Sequence, residues 1–230
     1  MASVSMLGSG CVRARRDAVR RVSSARQTVR GRARARAAIQ ITVQGMAARN
    51  EPVTRLSRIE VGYAGLPISV EIIPINGLID INRASEPLLG ALFAVAGGLE
   101  AERAAALAKS VVAARLPGPA TQRGPRFEAV EDLLQLPGVD FPLYARLLPL
   151  VTTDTMGSGR VNPMAAPEGV LMVLSEGDAG RAQRIAAGRD SGEVGVDPTA
   201  LPVQLVDSAV ANPFRLVAAV PLSDGPRFHM

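Results

Sequence analysis

Few residues of this sequence belong to the types that perform chemistry. The chain has one cysteine, Cys11, and one histidine, His229, which lies next to the C-terminal residue. A lone cysteine cannot form an intramolecular disulfide, and a structural zinc site needs several Cys or His ligands at short spacings. A hydrolase triad needs a histidine oriented by a buried carboxylate, whereas a penultimate side chain is expected to be mobile. Thiol redox chemistry, zinc binding and triad catalysis are therefore not expected.

Phosphate-binding loops and acid–base pairs are also missing from the sequence. The glycine-rich segments 8–11 and 157–159 lack the following lysine and helix signature of a phosphate cradle. The carboxylate pairs Glu100/Glu102 and Glu131/Asp132 are two apart or adjacent, so their side chains would not converge on a helix. The sequence therefore predicts a protein that is not an enzyme and has no small-molecule substrate.

Calcium is the one metal that needs separate consideration. Asp190, Glu193 and Asp197 are loosely clustered in a glycine-rich stretch, but the sequence contains no Asp-x-Asp-x-Asp-Gly calcium loop. We therefore expect no cofactor, and calcium stays a minor alternative for which no ligand is assigned.

The net charge of +5 conceals a strong division along the chain. Residues 1–58 contain 13 arginines against Asp17 and Glu51, which gives +11, and the remaining residues sum to −6. Residues 1–36 therefore form an arginine-rich arm that is expected to be disordered, unless it is a mis-called translation start. An arginine-rich, acid-poor start is also typical of mitochondrial targeting sequences. No apolar stretch is long enough to span a membrane, so the chain as written is expected to be soluble.

The periodicity after the arm predicts one helix, a hairpin and a distant C-terminal strand. Residues 37–48 are alanine-rich and apolar and are predicted to be helical. Alternating apolar residues on both sides of a break at Ala64-Gly65 predict a hairpin with one buried face. A strand around Phe214–Val220 is predicted to complete the sheet, which we expect to stop early.

The region between these strands is predicted to be helical. Ser85 is predicted to cap a helix with Pro87 in its first turn, and two amphipathic segments follow it. Shorter helical stretches flank the break at Leu136-Pro137-Gly138 and end before Pro149. The order of strands, helices and strands predicts an α+β fold in which a helical domain is inserted into a small sheet domain.

Self-comparison of the chain identifies one internal repeat. The segment Ile79-Asp80-Ile81-Asn82-Arg83-Ala84, followed by Leu89, a glycine break and Arg115, recurs as Val161-Asn162-Pro163-Met164-Ala165-Ala166, followed by Leu171, Gly177 and Arg189. Each copy predicts a helix, a glycine turn and a second helix, which is a helix-hairpin-helix layout. Asp80, Asn82 and Asn162 are interpreted as helix caps, and Ala84 and Ala166 complete the helix-opening motif.

The order of these motifs resembles the K-protein family of the type II, or general, secretion pathway. The resemblance rests on residues 80–84, on the Phe127–Leu133 segment, on Leu136-Pro137-Gly138-Val139-Asp140, on Leu148-Pro149-Leu150-Val151-Thr152 and on the second repeat copy, and it covers about residues 37–228. Members of that family are minor pseudopilins. They have a long N-terminal helix, a small pilin-like antiparallel sheet and a large inserted α-helical domain of helix-hairpin-helix or SAM-like modules.

The resemblance implies a set of domain boundaries. Residues 1–36 are the arm, and residues 37–77 are the remnant of the pilin helix with the first strands. Residues 78–155 are the first helical module, residues 156–192 are the second, and residues 193–230 are the strands that complete the sheet.

The resemblance also implies partners and a location. Family members sit at the tip of the periplasmic pseudopilus with two other minor pseudopilins, and they are held at the inner membrane, facing the periplasm. The packing helix would contact those partners through Ala37, Ala38, Ile41 and Ala48. The sequence departs from the family in lacking the apolar membrane half of that helix and the Gly-Phe prepilin-peptidase site, whose place the arginine arm occupies.

The alternative function is a helix-hairpin-helix protein that binds nucleic acid through the basic arm. Such hairpins bind phosphate with backbone N–H groups of a glycine turn. The three turns here read Gly97-Gly98-Leu99-Glu100, Gly138-Val139-Asp140 and Glu176-Gly177-Asp178, so each carries a carboxylate where a phosphate would lie. Nucleic-acid binding by the helical body is therefore not expected.

Overall fold

A computed structural model gives the fold, and it describes residues 27–48, 53–115, 127–153, 157–191, 201–211, 213–222 and 225–229. The chain is α+β, as the sequence predicts. It divides into two compact units, and the second is inserted in the sequence of the first. The first unit comprises residues 27–48, Arg58–Glu71 and the chain from Leu216 onwards, and the second comprises residues 53–57 and Ile72–Arg215.

The first unit combines one long helix with a four-stranded sheet. Helix α1 covers the described residues 27–48, and the strands are β1 (Ser57–Tyr63), β2 (Leu66–Pro74), β5 (Phe214–Leu222) and β6 (Gly225–His229). Their order is β1-β2-β5-β6, and β5 and β6 are antiparallel. The predicted hairpin is confirmed: Ala64 and Gly65 have φ values of 50° and 75°, the two left-handed residues that a tight turn between twisted strands requires.

The core of the first unit lies between α1 and the sheet. Small side chains from the helix, Ala35 and Ala38, meet branched side chains from the strands and let the helix approach the sheet closely. The buried members of this cluster are Ala35, Ala38, Val61, Ile68, Val70, Ala218 and Val220. Arg58 and Glu71 form an ion pair across β1 and β2.

The second unit consists mainly of short helices. Helix α2 (Glu86–Ala91) continues into a π-helical turn (Leu92–Ala96), and α3 (Ala101–Arg115) follows. A 3-10 helix (Val130–Gln135) and α4 (Phe141–Leu147) come next, and α5 (Glu168–Leu174) and α6 (Ala179–Ser191) form the second copy of the repeat. Ser85 is confirmed as the cap of α2, because its Oγ accepts a hydrogen bond from the Leu88 N–H.

A continuous apolar interior holds these helices together. Each helix of the unit contributes one face, and the largest fully buried side chains of the unit include Phe93, Phe127, Leu88, Leu89, Leu92, Leu133, Leu147 and Leu171. Aliphatic side chains dominate this list, as the low aromatic content of the sequence implies. Burial of one such side chain contributes about 1.5–3 kcal/mol relative to exposure.

Each repeat copy begins at a very short parallel strand contact. Strand β3 (Ile79–Asp80) pairs in parallel with β4 (Val151–Thr152), and in the second copy Val161 forms a parallel bridge with Val206. The segment containing Leu201, Leu205 and Val206 therefore belongs to the helical unit.

Three expectations about boundaries need correction. Residues 27–36 were assigned to a disordered arm, but they are helical, because Ala35 packs into the core of the first unit. Residues 201–211 were assigned to the C-terminal strands, but they pair with the second repeat copy. The sheet was expected to stop early, but β5 is nine residues long and its pairing with β6 reaches His229. The rest of the arm, residues 1–26, lies outside the described residues.

Within the described ranges, no helix is both long and apolar enough to cross a membrane.

Candidate interaction surface

One face of helix α1 is buried within the first unit. Gly31, Ala35, Ala38 and Thr42 follow each other at spacings of four, three and four residues, and all are buried. The Thr42 hydroxyl donates a hydrogen bond to the Ala38 carbonyl oxygen at 2.9 Å, so this buried polar group is satisfied within the helix. This face packs against the sheet of the first unit.

The four residues predicted to pack against partner helices do not share one environment. Ala38 is fully buried in the core of the first unit, so its assignment as a partner contact is wrong. The alanine-rich pattern of residues 37–48 could not distinguish the two faces, because alanine occurs on both. Ala37 is half-buried, and Ile41 and Ala48 are exposed, so these three remain candidates.

The exposed side of α1 carries a second row of residues. Ala33, Ala37, Ile41, Gln44 and Ala48 are spaced four, four, three and four residues apart, and we call this row the α1 seam. The mean directions of the two rows differ by about 130° around a helix with 3.6 residues per turn. Ile41 is 43% exposed, and Val29, one turn before Ala33, is 66% exposed.

Four arginines lie in the N-terminal half of α1. Arg30, Arg32 and Arg36 are exposed and Arg34 is half-buried. Residues 27–48 contain no aspartate or glutamate, and no carboxylate among the described residues forms an ion pair with any of the four. The residues around the seam are therefore basic at its N-terminal end, and the described part of α1 is uncharged from Ala37 onwards.

The repeat motif places its polar residues in turns and not at helix caps. Asp80 Oδ1 accepts a hydrogen bond from the Asn82 N–H at 2.8 Å, and Asn162 Oδ1 accepts one from the Met164 N–H at 3.0 Å. Both turns end before α2 or α5 begins, and the cap residue of α5, Pro167, makes no side-chain cap hydrogen bond. The interpretation of Asp80 and Asn162 as helix caps is wrong, because a side chain that bonds two residues ahead closes a local turn instead.

Asn82 was also predicted to be a helix cap, but its role in the structure is different. Its Nδ2 donates to the carbonyl oxygens of Phe127 at 2.9 Å and Thr153 at 3.2 Å, and its Oδ1 accepts from the Phe127 N–H at 3.3 Å. It therefore joins three segments that are distant in the sequence. The second copy has Met164 at this position, so the repeat itself contained a signal that Asn82 does more than open a helix.

The last arginine of each copy returns to the motif that opens the copy. Arg115 Nη1 donates to the Ala84 carbonyl oxygen at 2.8 Å, and Arg189 Nη1 donates to the Ala166 carbonyl oxygen. Ala84 and Ala166 are fully buried, as are Leu89 and Leu171 at the matching helical positions. These residues align between the two copies of the repeat, and the hydrogen bonds to the alanine carbonyls explain why both copies end in an arginine.

The two copies balance the charge of this arginine differently. In the first copy burial lowers the pKa of Arg115 and the negative charge of Asp80 opposes that shift. In the second copy the aligned residue is the neutral Asn162, and Arg189 instead donates from Nε to Asp190 Oδ1 at 2.7 Å. Asp190 is therefore engaged with an arginine, and the other two residues considered for calcium, Glu193 and Asp197, lie outside the described residues.

The glycine turns have the geometry of helix hairpins but not their anion chemistry. Gly98, Gly138 and Gly177 have φ values of 66°, 94° and 88°. Asp140 Oδ1 accepts from the Leu143 N–H at 2.8 Å, and Asp178 Oδ1 accepts from the Arg181 N–H at 3.0 Å. At these two turns a carboxylate already occupies the helix N-terminus that a phosphate would need.

No family model matches the sequence, and no curated protein matches it. Among solved structures, the chain is similar to a chain of the GspK-GspI-GspJ complex from the type 2 secretion system of enterotoxigenic Escherichia coli. The TM-score is 0.49, the sequence identity is 15%, and the match covers 91% of each chain.

Proposed function

We propose that this chain is a non-enzymatic minor pseudopilin that assembles with two other minor pseudopilins at the tip of a type II secretion pseudopilus. In that role it supports protein export across the outer membrane, from a position at the inner membrane facing the periplasm. The sequence resemblance implies this function, and the structure has the elements that the function requires.

The observation that carries the proposal is the presence of two separate faces on α1. One face is buried on the chain's own sheet, and the α1 seam is exposed along the same helix. A subunit that works by lateral assembly needs a helix of this kind, because small side chains such as Ala33 and Ala37 let a second helix approach closely. Ile41 and Val29 add apolar area that a partner would remove from water.

The architecture also agrees with what the resemblance implies. A long helix and a four-stranded sheet form the first unit, and a helical unit with two repeat copies is inserted between β2 and β5. The family was inferred from motifs that lie mostly within the helical unit, so the helix and sheet of the first unit are an independent point of agreement.

The test is co-elution of the full chain with the soluble domains of two companion minor pseudopilins from the same secretion system. We expect the wild-type chain to enter a defined heterotrimer on size-exclusion chromatography. Ala37→Arg and Ile41→Arg should each weaken that complex at least about tenfold, because they place a charge in an apolar contact. Circular dichroism should be unchanged for both variants, since neither side chain belongs to the core.

Ala38→Arg is the matched control, because it lies next to Ala37 but faces the core. It should unfold the first unit, which would appear as loss of thermal stability in the chain alone. Absence of co-elution for the wild type, or unimpaired co-elution of Ile41→Arg, would contradict the proposed function. Binding of duplex DNA by the wild type without any companion would favour the nucleic-acid alternative.

A further inference from the structure

We infer that the helix that docks on the α1 seam is acidic at one end, with carboxylates opposite residues 30–36 and uncharged residues opposite 37–48. This inference rests on the proposed function only in taking the seam as an assembly surface. It adds the chemistry of the partner and the register of the contact.

The positions of the arginines around the helix carry the inference. With about 100° between successive residues, Arg30 lies on the line of the seam, one turn before Ala33. Arg34 lies on one side of that line and Arg36 on the other. These are the positions that flank the contact in paired helices, where charges select the partner and its orientation.

Arg30 places the strictest requirement on the charge of the partner helix. A helix that covers the seam removes water from this guanidinium, and a buried cation without a counter-charge is strongly unfavourable. The helix itself supplies no counter-charge, because residues 27–48 contain no carboxylate. The partner must therefore supply a carboxylate opposite Arg30. Further carboxylates on both sides of the contact would interact favourably with Arg34 and Arg36.

A second copy of this chain does not meet the requirement. Parallel pairing of two α1 helices would place arginines 30–36 of both copies against each other, which is repulsive. Antiparallel pairing would avoid the repulsion, but Arg30 would then face the uncharged end of its neighbour. The seam therefore favours a different, acidic helix over self-association.

The test uses two labelled synthetic peptides with the sequence of residues 27–48. The acidic peptide carries Arg30→Glu, Arg32→Glu, Arg34→Glu and Arg36→Glu, and the basic peptide keeps the native sequence. The same hydrocarbon staple across positions 38 and 42 holds both peptides helical, and these positions lie away from the seam. Binding to the full chain is measured by fluorescence anisotropy.

We expect the acidic peptide to bind at least about tenfold more tightly than the basic peptide, the factor that corresponds to about 1.4 kcal/mol. Its affinity should fall between about 50 mM and about 500 mM NaCl, because salt screens the charges that select it. The double variant Arg30→Glu/Arg36→Glu of the full chain should lose this preference. Ile41→Arg should weaken binding of both peptides.

The matched control is Arg103→Glu/Lys109→Glu, which changes the net charge equally at two exposed positions of α3. It should leave the peptide affinities within about twofold, since neither residue belongs to α1. Equal binding of the two peptides, no binding of the acidic one, or an equal effect of the control would overturn the inference. Binding of anionic phosphatidylglycerol vesicles or of a DNA duplex, without the acidic peptide, would also overturn it.

These outcomes are separable from those of the proposed function. If the companion domains co-elute but the peptides bind equally, the inference about the partner's charge fails and the assembly role stands. If the acidic peptide binds but no companion co-elutes, α1 recognises an acidic helix in some other assembly.

Discussion

In the repeat, some residue contacts could be anticipated from the sequence and others could not. Alignment of the two copies matched Arg115 with Arg189 and Ala84 with Ala166, and in the structure each arginine donates to the carbonyl of its alanine. It did not reveal that the counter-charge differs, because Asp80 precedes Arg115 by a long stretch of chain whereas Asp190 adjoins Arg189. A charge pair between distant residues leaves no local pattern, so only the fold identifies it.

Asp178 gives a prediction about pH at the residue scale. Its carboxylate accepts a hydrogen bond from the Arg181 N–H at the start of α6, and this bond, with the nearby charges of Arg181 and Arg184, lowers its pKa below the ordinary value of 3.8. A lowered carboxylate pKa stabilises the folded state at pH values above the unfolded-state pKa. That contribution is lost as the pH falls through the folded-state pKa.

We therefore expect Asp178→Ala to lower the melting temperature at pH 7, and this deficit should shrink as the pH falls through the folded-state pKa of Asp178. Asp178→Asn is the control, since asparagine is a good N-cap but does not titrate. Its melting temperature should lie between those of wild type and Asp178→Ala at pH 7. Thermal melts followed by circular dichroism over a series of decreasing pH values measure this, and a deficit of Asp178→Ala that does not change with pH would contradict the assignment.

Elements with a clear periodicity or turn signal were predictable from the sequence. The β1–β2 hairpin was marked by Ala64-Gly65, and α2 was marked by Ser85 and Pro87. The β3–β4 pairing is only two residues long on each side, so it contains no alternation that a pattern search can detect. The start of α1 was missed because its arginines indicate a solvated segment, whereas the burial of Ala35 depends on a sheet formed much later in the chain.

Two glycines of the second unit test whether elements are placed as described. Gly90 lies inside α2, and a Cβ there would meet nothing within 4 Å, so Gly90→Ala should stabilise the protein by about 0.5–1 kcal/mol. Gly77 ends the 3-10 turn after β2, and a Cβ there would lie 2.1 Å from the Ala165 carbonyl oxygen. Gly77→Ala should therefore destabilise the protein by more than about 2 kcal/mol, since backbone cannot yield as a side chain can.

Urea unfolding of the two variants measures both effects in one experiment. The midpoints should move in opposite directions from that of wild type, with the same dependence on urea concentration. Similar midpoints for Gly77→Ala and Gly90→Ala would mean that the Ile75–Gly77 turn does not pack directly on the second repeat copy.

At the scale of the whole molecule, the inserted position of the helical unit makes a prediction about its independence. The unit has its own apolar core, and its two chain ends are held together, since the Ile75 N–H donates to the Pro213 carbonyl oxygen at 3.0 Å. Domains whose ends lie close together tolerate insertion into another domain and are expected to fold alone. The other contribution to this unit, residues 53–57, adds one buried side chain, Leu56, and one hydrogen bond to Met164.

We therefore expect residues 72–215, expressed alone, to be helical and to unfold cooperatively, with a melting temperature close to that of Leu56→Ala in the full chain. Both proteins lack the Leu56 side chain, so the remaining differences are the first unit and the backbone hydrogen bond from residue 56 to Met164. Leu171→Asp in the excised unit should abolish the cooperative transition, because it buries an unpaired charge in a fully enclosed position. Circular dichroism and differential scanning calorimetry decide the outcome. A gradual transition in the excised wild-type unit would mean that the helical unit needs the sheet for its stability, and that the two units fold as one.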